Sequence, residues 1–245
     1  MISSLKNHPF KIKAFFKSSV VLTYAVKKEE LFNKIPSCLQ LDTFNNEWAF
    51  IAFAIVQTQG LRPSVFPELL GMNFFLIGYR IFVDYKTSYN KRLRGLYILK
   101  SETDKSLMQI AGNFFTHYNY SKTDILFKEE NDEIIIQSVK SGLNIQLAKN
   151  DNASLPPKSP FFSWKDARRF AGPLPFTFHA DLDKKEVLIV EGMRQNWSPR
   201  PMQIINSKVR FIDEMNFKTI VLANAFIVEK VNYCWKKGVI DKCNH

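Results

Sequence analysis

The chain has 245 residues, of which 46% are hydrophobic, and its 34 Lys and Arg against 23 Asp and Glu give a formal net charge of +11. This apolar fraction excludes a disordered chain and a fibrous repeat, and the length is sufficient to bury a sizeable core. The longest uninterrupted apolar run, residues 48–56, is less than half of the roughly 20 residues that a membrane helix needs, so we expect no membrane partner.

The first half of the chain predicts strands interrupted by two helices. Runs rich in β-branched and aromatic residues, bounded by turn residues, predict strands at 18–26, 48–57, 74–85 and 94–100. A short helix is predicted over 27–35, where it ends before Pro36. The clearest helix is predicted over 104–115, because apolar side chains recur there at the spacing of one helix face, at Leu107, Ile110, Ala111 and Phe114.

The second half predicts further strands around a proline-rich segment. Three short runs, separated by turn residues, indicate a meander of hairpins at 125–128, 133–139 and 143–148. The segment 155–176 is proline-rich and includes a short predicted helix over 163–170 that Ser163 caps, and it is either a lid or a packed loop. The last strands are predicted at 187–190, 202–211 and 223–231.

These elements favour an α+β fold in a single domain over residues 1–245. Roughly ten short strands and two or three short helices do not alternate regularly, which favours a mainly antiparallel α+β or barrel architecture over a doubly wound sheet. No polar linker is long enough to divide the chain, because the proline-rich segment carries large aromatic side chains that would be costly to leave in water.

A net positive charge favours binding to polyanions such as nucleic acids, so the distribution of this charge along the chain matters. The first 28 residues hold six lysines and no acidic residue, but much of the remaining excess is scattered along the chain. No compact arginine-rich run and no nucleic-acid-binding motif is present. We therefore expect a solvated basic surface rather than a nucleic-acid interface.

The cysteines predict no redox couple. Cys38, Cys234 and Cys243 are an odd number at wide spacing and form no Cys-x-x-Cys pair. The N-terminal segment scatters lysines among phenylalanines and does not resemble a secretory signal. We therefore expect a cytoplasmic protein with three reduced structural thiols.

The histidines predict no metal site. His179 and Asp181 could offer two ligands from one side of a strand, as could Cys243 and His245 at the C-terminus, but neither pair has a second pair nearby in the sequence. Glycine-rich nucleotide loops and the Gly-x-Ser-x-Gly elbow of serine hydrolases do not occur. The sequence therefore predicts neither a metal nor a cofactor.

Arg80 is the most informative polar residue. Strict alternation along its predicted strand puts Arg80 on one face with Phe74, Leu76, Gly78 and Phe82. A guanidinium among apolar side chains needs an anion, because an unpaired buried charge is strongly unfavourable. Either Arg80 makes an internal salt bridge or reaches water along the sheet, or it lies in a pocket and binds a carboxylate or carbonyl oxygen of a ligand. A second candidate of this kind is Arg194.

Three stretches in the first half of the chain are similar to segments of a known protein family. Residues 22–41 read as an opening strand, a short helix and a proline-containing turn, and residues 95–99 as the strand before a longer helix. Residues 78–83, Gly-Tyr-Arg-Ile-Phe-Val, are similar to a strand with the sequence Asn-Val-Arg-Thr-Tyr-Val. Together they resemble the YqjF-like family of uncharacterised bacterial proteins, within the acetoacetate decarboxylase-like superfamily. The resemblance spans at least residues 18–120 and implies a closed or cone-shaped antiparallel barrel around a largely apolar cavity.

The resemblance also implies that the superfamily's best-known chemistry is missing. The decarboxylase forms a Schiff base through a lysine just after this helix, where residues 115–120 here read Phe-Thr-His-Tyr-Asn-Tyr. Its two acidic pocket residues would fall near Ile51 and Leu76, and its pocket arginine near Lys17. Aliphatic side chains cannot exchange a proton, so the decarboxylase mechanism does not carry over. Lys122 could reach the cavity only if the alignment shifts.

The leading hypothesis is a small-molecule-binding protein whose apolar cavity is anchored by Arg80 and takes a carboxylate or carbonyl compound. The other candidate ligand-binding residues are Lys17, His117, Tyr118, Tyr120 and Arg194. One alternative is a lyase or hydratase that acts on a carbonyl or keto-acid substrate through His117, a tyrosine hydroxyl or Lys122. Another is a basic module that binds nucleic acid or an anionic surface. A homo-oligomer is compatible with each of these.

Overall fold

The structure, a computed structural model, describes residues 5–172 and 174–243. His245, which the sequence pairs with Cys243 as a metal-ligand candidate, lies outside these residues, as does Pro173 of the proline-rich segment. The strands are β1 (Ile12–Lys27), β2 (Gln40–Leu41), β3 (Trp48–Pro63), β4 (Met72–Lys86), β5 (Arg92–Thr103), β6 (Tyr120–Lys122), β7 (Leu126–Glu130), β8 (Glu133–Ser138), β9 (Leu143–Lys149), β10 (Phe176–Asp181), β11 (Glu186–Gln195), β12 (Arg200–Val209), β13 (Ile220–Trp235) and β14 (Val239–Lys242). The helices are α1 (Lys28–Leu31), α2 (Ser106–Phe115), α3 (Trp164–Phe170) and α4 (Arg210–Asp213), with 3₁₀ turns at Phe32–Lys34 and Glu68–Leu70.

The fourteen strands pair into one mixed sheet that is mostly antiparallel. Their order is β14-β11-β10-β5-β4-β3-β1-β13-β12-β9-β8-β7, with β2 beside β4 and β6 beside β5. Only the pairs of β5 with β6 and with β10 are parallel among the described strands. Because β11 also pairs with β13, the strands from β13 through β1, β3, β4, β5 and β10 to β11 are paired in a ring.

The α+β prediction is confirmed, but the strand count was too low. The meander over β7, β8 and β9 and the long strands β3 and β4 lie where the sequence predicts them. Prediction missed β2, β6 and β14, which have only two to four residues, and also β10. Segments this short carry too little alternation to be recognised, and their pairing depends on neighbours that are distant in the sequence.

No helix in the described ranges 5–172 and 174–243 is long and apolar enough to cross a bilayer.

Alternate residues of β4 face two different environments. Ile77, Tyr79 and Ile81 belong to the largest hydrophobic core, which β8, β9, β12 and α4 cover. On the opposite face, Arg80 and Phe82 line a cavity. The alternation predicted from the sequence of this strand is therefore what separates core from cavity.

Helix α2 forms where its sequence predicts it, yet its apolar stripe points outward. Met108 and Gly112 are the buried residues, and the ring of Tyr120 occupies the space that a Cβ on Gly112 would need. Three large members of the predicted stripe are exposed, namely Leu107, Ile110 and Phe114. The stripe therefore does not hold the helix against the protein.

The proline-rich segment is packed at one end of the cavity. Ser163 caps α3 by accepting a hydrogen bond from the Asp166 amide at 3.1 Å, as predicted. Phe161 is buried and stacks on Phe50 with ring centroids 5.3 Å apart. Leu174, after the helix, lines the cavity. These contacts match a packed loop.

A disulfide joins the N-terminal third of the chain to its last strand. Cys38 and Cys243 are bonded, with Cα atoms 5.9 Å apart and a sequence separation of 205, while Cys234 is free. The prediction of reduced thiols is therefore wrong for two of the three cysteines. The wide spacing of these two cysteines along the chain does not reveal that β14 returns to the turn after α1.

Candidate functional site

A cavity of about 620 Å³ lies on the face of the sheet that carries Arg80. Its walls come from β1, β3, β4, β5 and β13, and its ends from α2 and the proline-rich segment. Most of the lining is aliphatic or aromatic, and the charged side chains among the described lining residues are those of Arg80 and Arg194. The volume lies within the range of cavities that hold cofactors and drug-sized molecules.

Local backbone geometry fixes the position of Arg80. A Cβ added to Gly78 would lie 2.7 Å from the Nε and Nη2 atoms of Arg80, so the guanidinium lies directly over this glycine. The pairing of β4 with β5 shifts between Tyr79 and Arg80, which leaves Leu99 as an extra residue opposite them. Bulges of this kind are common beside functional sites because they redirect a side chain.

The guanidinium of Arg80 has no carboxylate partner among the described residues. The titratable groups that act on it most strongly are Tyr233, Tyr120, Tyr118 and Arg194. Burial lowers the pKa of Arg80, the three phenols raise it, and the second guanidinium lowers it again. Protein surrounds the side chain, and it stays partly accessible because it faces the cavity. Two like charges thus share one apolar space.

Arg194 is held between two aromatic rings. Its Cζ atom lies 4.7 Å from the ring centroid of Trp197 and 5.4 Å from that of Tyr233. Its Nη2 donates a hydrogen bond to the Leu174 carbonyl at 2.8 Å, and its buried Nε has no partner. The β11–β13 pairing sets Arg194 opposite Tyr233. These contacts hold Arg194 in place while leaving its charge uncompensated.

Tyr118 and Tyr120 follow α2 directly and present their side chains to the cavity. The amide side chain of Asn113 holds this turn, since it donates to the Tyr120 carbonyl at 2.8 Å and accepts from the Tyr120 amide at 2.7 Å. Burial raises the pKa of both phenols, so they stay protonated and can donate hydrogen bonds. The Tyr118 hydroxyl is buried beside Thr177 but makes no hydrogen bond of ordinary geometry.

The family profile of DUF2071, described as uncharacterised conserved proteins, matches residues 14–229. The chain belongs to the DUF2071 family. This confirms the resemblance to YqjF-like proteins seen in the sequence. No curated protein matches the chain.

Solved structures share the fold of this DUF2071 protein. Acetoacetate decarboxylase from Legionella pneumophila subsp. pneumophila str. Philadelphia 1 is 10% identical, with a TM-score of 0.61 over 95% of this chain and 87% of that chain. The enduracididine biosynthesis enzyme MppR, in a complex with pyruvate, is 8% identical, with a TM-score of 0.56 over 97% and 91%. An acetoacetate decarboxylase-like enzyme from Sphingomonas wittichii RW1 is 12% identical, with a TM-score of 0.50 over 97% and 92%. At these identities the similarity establishes the acetoacetate decarboxylase-like fold alone.

The structure brings four of the six candidate residues of the DUF2071 chain to the cavity and leaves two outside its lining. Arg80, Tyr118, Tyr120 and Arg194 line it. Lys17 is exposed, because the β1–β3 pairing passes from Phe16–Thr58 to Ser18–Gln57 and leaves Lys17 as an extra residue in a bulge. His117 lies beside His179 instead, with ring centroids 3.7 Å apart.

Sequence reasoning did not single out three lining residues of this DUF2071 protein that have polar aromatic rings, namely His8, Trp197 and Tyr233. Tyr233 stacks on Phe16 with centroids 4.7 Å apart and lies within 3.4 Å of an Arg194 nitrogen. Alternation along residues 231–235 could have suggested one apolar face, but only the closing of the ring between β11 and β13 shows that this face meets the cavity. His8 lies in an irregular segment that has no periodic signal.

The stacked histidine pair predicts a dependence of stability on pH. Burial and the neighbouring His179 lower the pKa of His117 to about 4, and burial lowers the pKa of His179. In the unfolded chain both take up a proton near pH 6.5, so the unfolded state binds more protons below that pH. We expect the free energy of unfolding to be greatest above about pH 6.5 and to fall towards pH 4, by roughly 1 kcal/mol from His117 after solvent screening, with His179 acting in the same direction.

Urea denaturation at about pH 7.5 and about pH 5 measures this difference. The variant His117→Phe keeps an aromatic ring in the stack but cannot take up a proton, so its stability should fall less over the same interval. An equal fall in the variant and in the wild type would show that the pair is not responsible.

Proposed function

We propose that this protein binds a small molecule with an apolar body and a carboxylate or similar anionic group, which Arg80 anchors in the cavity. The observation that carries the proposal is a guanidinium that opens on an apolar space with no carboxylate among the described lining residues. An unpaired charge in such surroundings is unfavourable by several kcal/mol, and a bound carboxylate relieves this through charge-assisted hydrogen bonds. We take the ring of strands to be the cone-shaped barrel that the family resemblance implies, with the ligand inside.

Arg194 and the phenols support the same ligand chemistry. Arg194 adds a second positive charge that no carboxylate among the described lining residues neutralises. The phenols of Tyr118 and Tyr120 remain protonated and can donate hydrogen bonds to an anionic oxygen. The remaining walls are apolar and suit a hydrocarbon body.

The proposal is for binding and not for decarboxylation through a Schiff base. The lining of the cavity, in the part of the chain that the structure describes, includes no lysine, which supports this choice. A related fold occurs in MppR with pyruvate, and pyruvate is a small carboxylate. That likeness supports the ligand class and lends no reaction to this chain.

Calorimetric titration with decanoate and with its neutral analogue decanamide tests the proposal. We expect decanoate to bind the wild type about tenfold or more tightly than decanamide, because only the carboxylate forms charge-assisted hydrogen bonds. Equal affinities, or no binding of either compound, would contradict the proposal.

The variant Gly78→Ala tests the position of the guanidinium. A methyl group at residue 78 would push against Arg80 and turn it away from its place over the sheet. We expect this variant to bind decanoate about tenfold more weakly. Its affinity for decanamide should stay at the wild-type value, because the apolar walls are unchanged. A loss of both affinities would mean that the methyl group distorts the cavity itself.

A further inference from the structure

The cavity opens to solvent through a rim of apolar side chains. Five residues both line the cavity and are exposed, and we call them the mouth rim: Phe10, Val65, Phe66, Leu70 and Leu107. Two contacts hold these segments together. The Ser64 amide donates a hydrogen bond to the Lys11 carbonyl, and the ring of Phe10 packs edge-on against Phe115 of α2. The exposed side chains of this rim therefore mark an opening of the cavity.

The apolar surface continues beyond the mouth rim. Leu69 is 93% exposed at the tip of the loop 64–71, and Ile110 and Phe114 extend the surface along α2. Every residue from Val65 to Leu70 is exposed. Single exposed apolar residues are common, but a contiguous group around the opening of a cavity marks a contact site.

Lysines surround this apolar surface. Lys11 adjoins the loop 64–71, Lys13 pairs across the strands with Arg62, and Lys105 precedes α2. Lys11 and Lys13 are exposed and form no ion pair with the described residues, whereas Lys105 pairs with Asp104 and Arg62 pairs with Glu68. Glu68 is the acidic residue of the loop. Exposed apolar residues beside unpaired lysines are the composition of surfaces that lie on anionic lipid.

The lysines around the mouth rim favour an anionic lipid surface over a second copy of the chain as the partner of this face. A second copy of the chain would bring the same lysines against these lysines, in a protein of net charge +11. An anionic lipid surface satisfies both features, because its head groups attract the lysines and its acyl region accepts the leucines and phenylalanines. We infer that the mouth rim docks on an anionic lipid surface, so that the cavity opens directly towards the bilayer. This contact lies on the surface of a membrane and involves no span, whereas the sequence predicts no membrane partner.

Vesicle co-sedimentation tests the inference. The full chain is mixed with vesicles of phosphatidylcholine and phosphatidylserine, or of phosphatidylcholine alone. We expect binding to the anionic vesicles only, and weaker binding as salt is added. A wild type that fails to bind the anionic vesicles overturns the inference.

Two double variants separate the apolar and the charged contributions. Leu69→Glu with Ile110→Glu removes exposed apolar residues that do not line the cavity, and Lys11→Glu with Lys13→Glu reverses the flanking charge. Each should weaken vesicle binding by at least about tenfold. The control is Phe162→Glu with Val239→Glu, two exposed apolar residues that are likewise absent from the cavity lining, and it should bind vesicles as the wild type does.

Decanoate titration of the same variants keeps this inference distinct from the proposed function. Leu69→Glu with Ile110→Glu should keep the wild-type affinity for decanoate while losing the vesicles. A Leu69→Glu and Ile110→Glu protein that binds vesicles like the wild type overturns docking. Docking is also overturned if the wild type is a dimer that does not bind vesicles and the Leu69→Glu and Ile110→Glu protein is a monomer. The face would then be an interface between two copies of the chain. Loss of the preference for decanoate over decanamide in Arg80→Met, with vesicle binding unchanged, supports both the proposed function and docking.

Discussion

Replacing Arg80 with methionine is expected to abolish the preference for decanoate over decanamide and to raise the thermal stability of the ligand-free protein. The guanidinium faces an apolar cavity beside a second guanidinium and has no carboxylate partner among the described residues, so its removal relieves an unfavourable charge. Methionine is unbranched and adapts to the same space over Gly78. We expect a gain of about 1 kcal/mol or more, which corresponds to about 2–4 °C in the midpoint of thermal unfolding. Stabilisation on removing a functional group is the usual sign of a site that is strained for binding.

The same substitution at Arg94 is the matched control. Arg94 Nε donates to a carboxylate oxygen of buried Asp42 at 2.7 Å, and its Nη2 donates to the Phe170 carbonyl at 2.9 Å. Arg94→Met leaves Asp42 with a weaker partner, Arg92, at 3.5 Å. It should therefore lower stability by about 2–4 kcal/mol, opposite in sign to the Arg80 variant. An Arg80→Met protein that is as destabilised as Arg94→Met would show that Arg80 is a structural residue.

Replacing Cys38 with serine is expected to lower the free energy of unfolding of the oxidised protein by about 2–5 kcal/mol. The bond to Cys243 closes a loop that contains most of the chain, and its loss frees the unfolded state of that constraint. The last strand keeps other contacts, because Tyr85 donates hydrogen bonds to the Asp241 carboxylate at 2.9 Å and to the Lys242 carbonyl at 3.1 Å. The variant should therefore fold.

Urea denaturation with and without a thiol reductant measures the effect. The reductant should destabilise the wild type and leave Cys38→Ser unchanged. Cys234→Ser is the matched control, because Cys234 is free, and it should retain the wild-type response to the reductant. A wild type that is indifferent to the reductant would mean that the two sulfurs are not bonded in solution.

The sequence predicts the face of β4 correctly for a simple physical reason. Alternation along a strand requires no knowledge of its partners, so Phe74, Leu76, Arg80 and Phe82 could be grouped from the sequence alone, and they share the cavity lining. Helix α2 could be predicted in the same way from its spacing. What the spacing could not show is that its stripe faces solvent, because the position of a helix on a sheet depends on contacts such as Gly112 against Tyr120.

Features that depend on pairing between strands distant in the chain could not be predicted from the sequence. The meeting of Arg194 with Tyr233 follows from the β11–β13 pairing, and the disulfide follows from the return of β14 to the turn after α1. The exposure of Lys17 results from a single extra residue in β1, which moves the side chain out of the expected register. Alignment to a family pattern assumes that no such bulge occurs.

The proposed function depends on one interaction, in which the unpaired guanidinium of Arg80 binds the anionic group of a ligand inside the apolar cavity. A crystal structure of the protein with 10-bromodecanoate tests it most directly, because the anomalous signal of bromine locates one end of the ligand and the carboxylate density the other. The account predicts the carboxylate within hydrogen-bonding distance of the Arg80 guanidinium, with the bromine among the apolar side chains towards the mouth rim. A carboxylate in solvent at the rim, or bound beside His117 and His179, with Arg80 left without a partner, would contradict it.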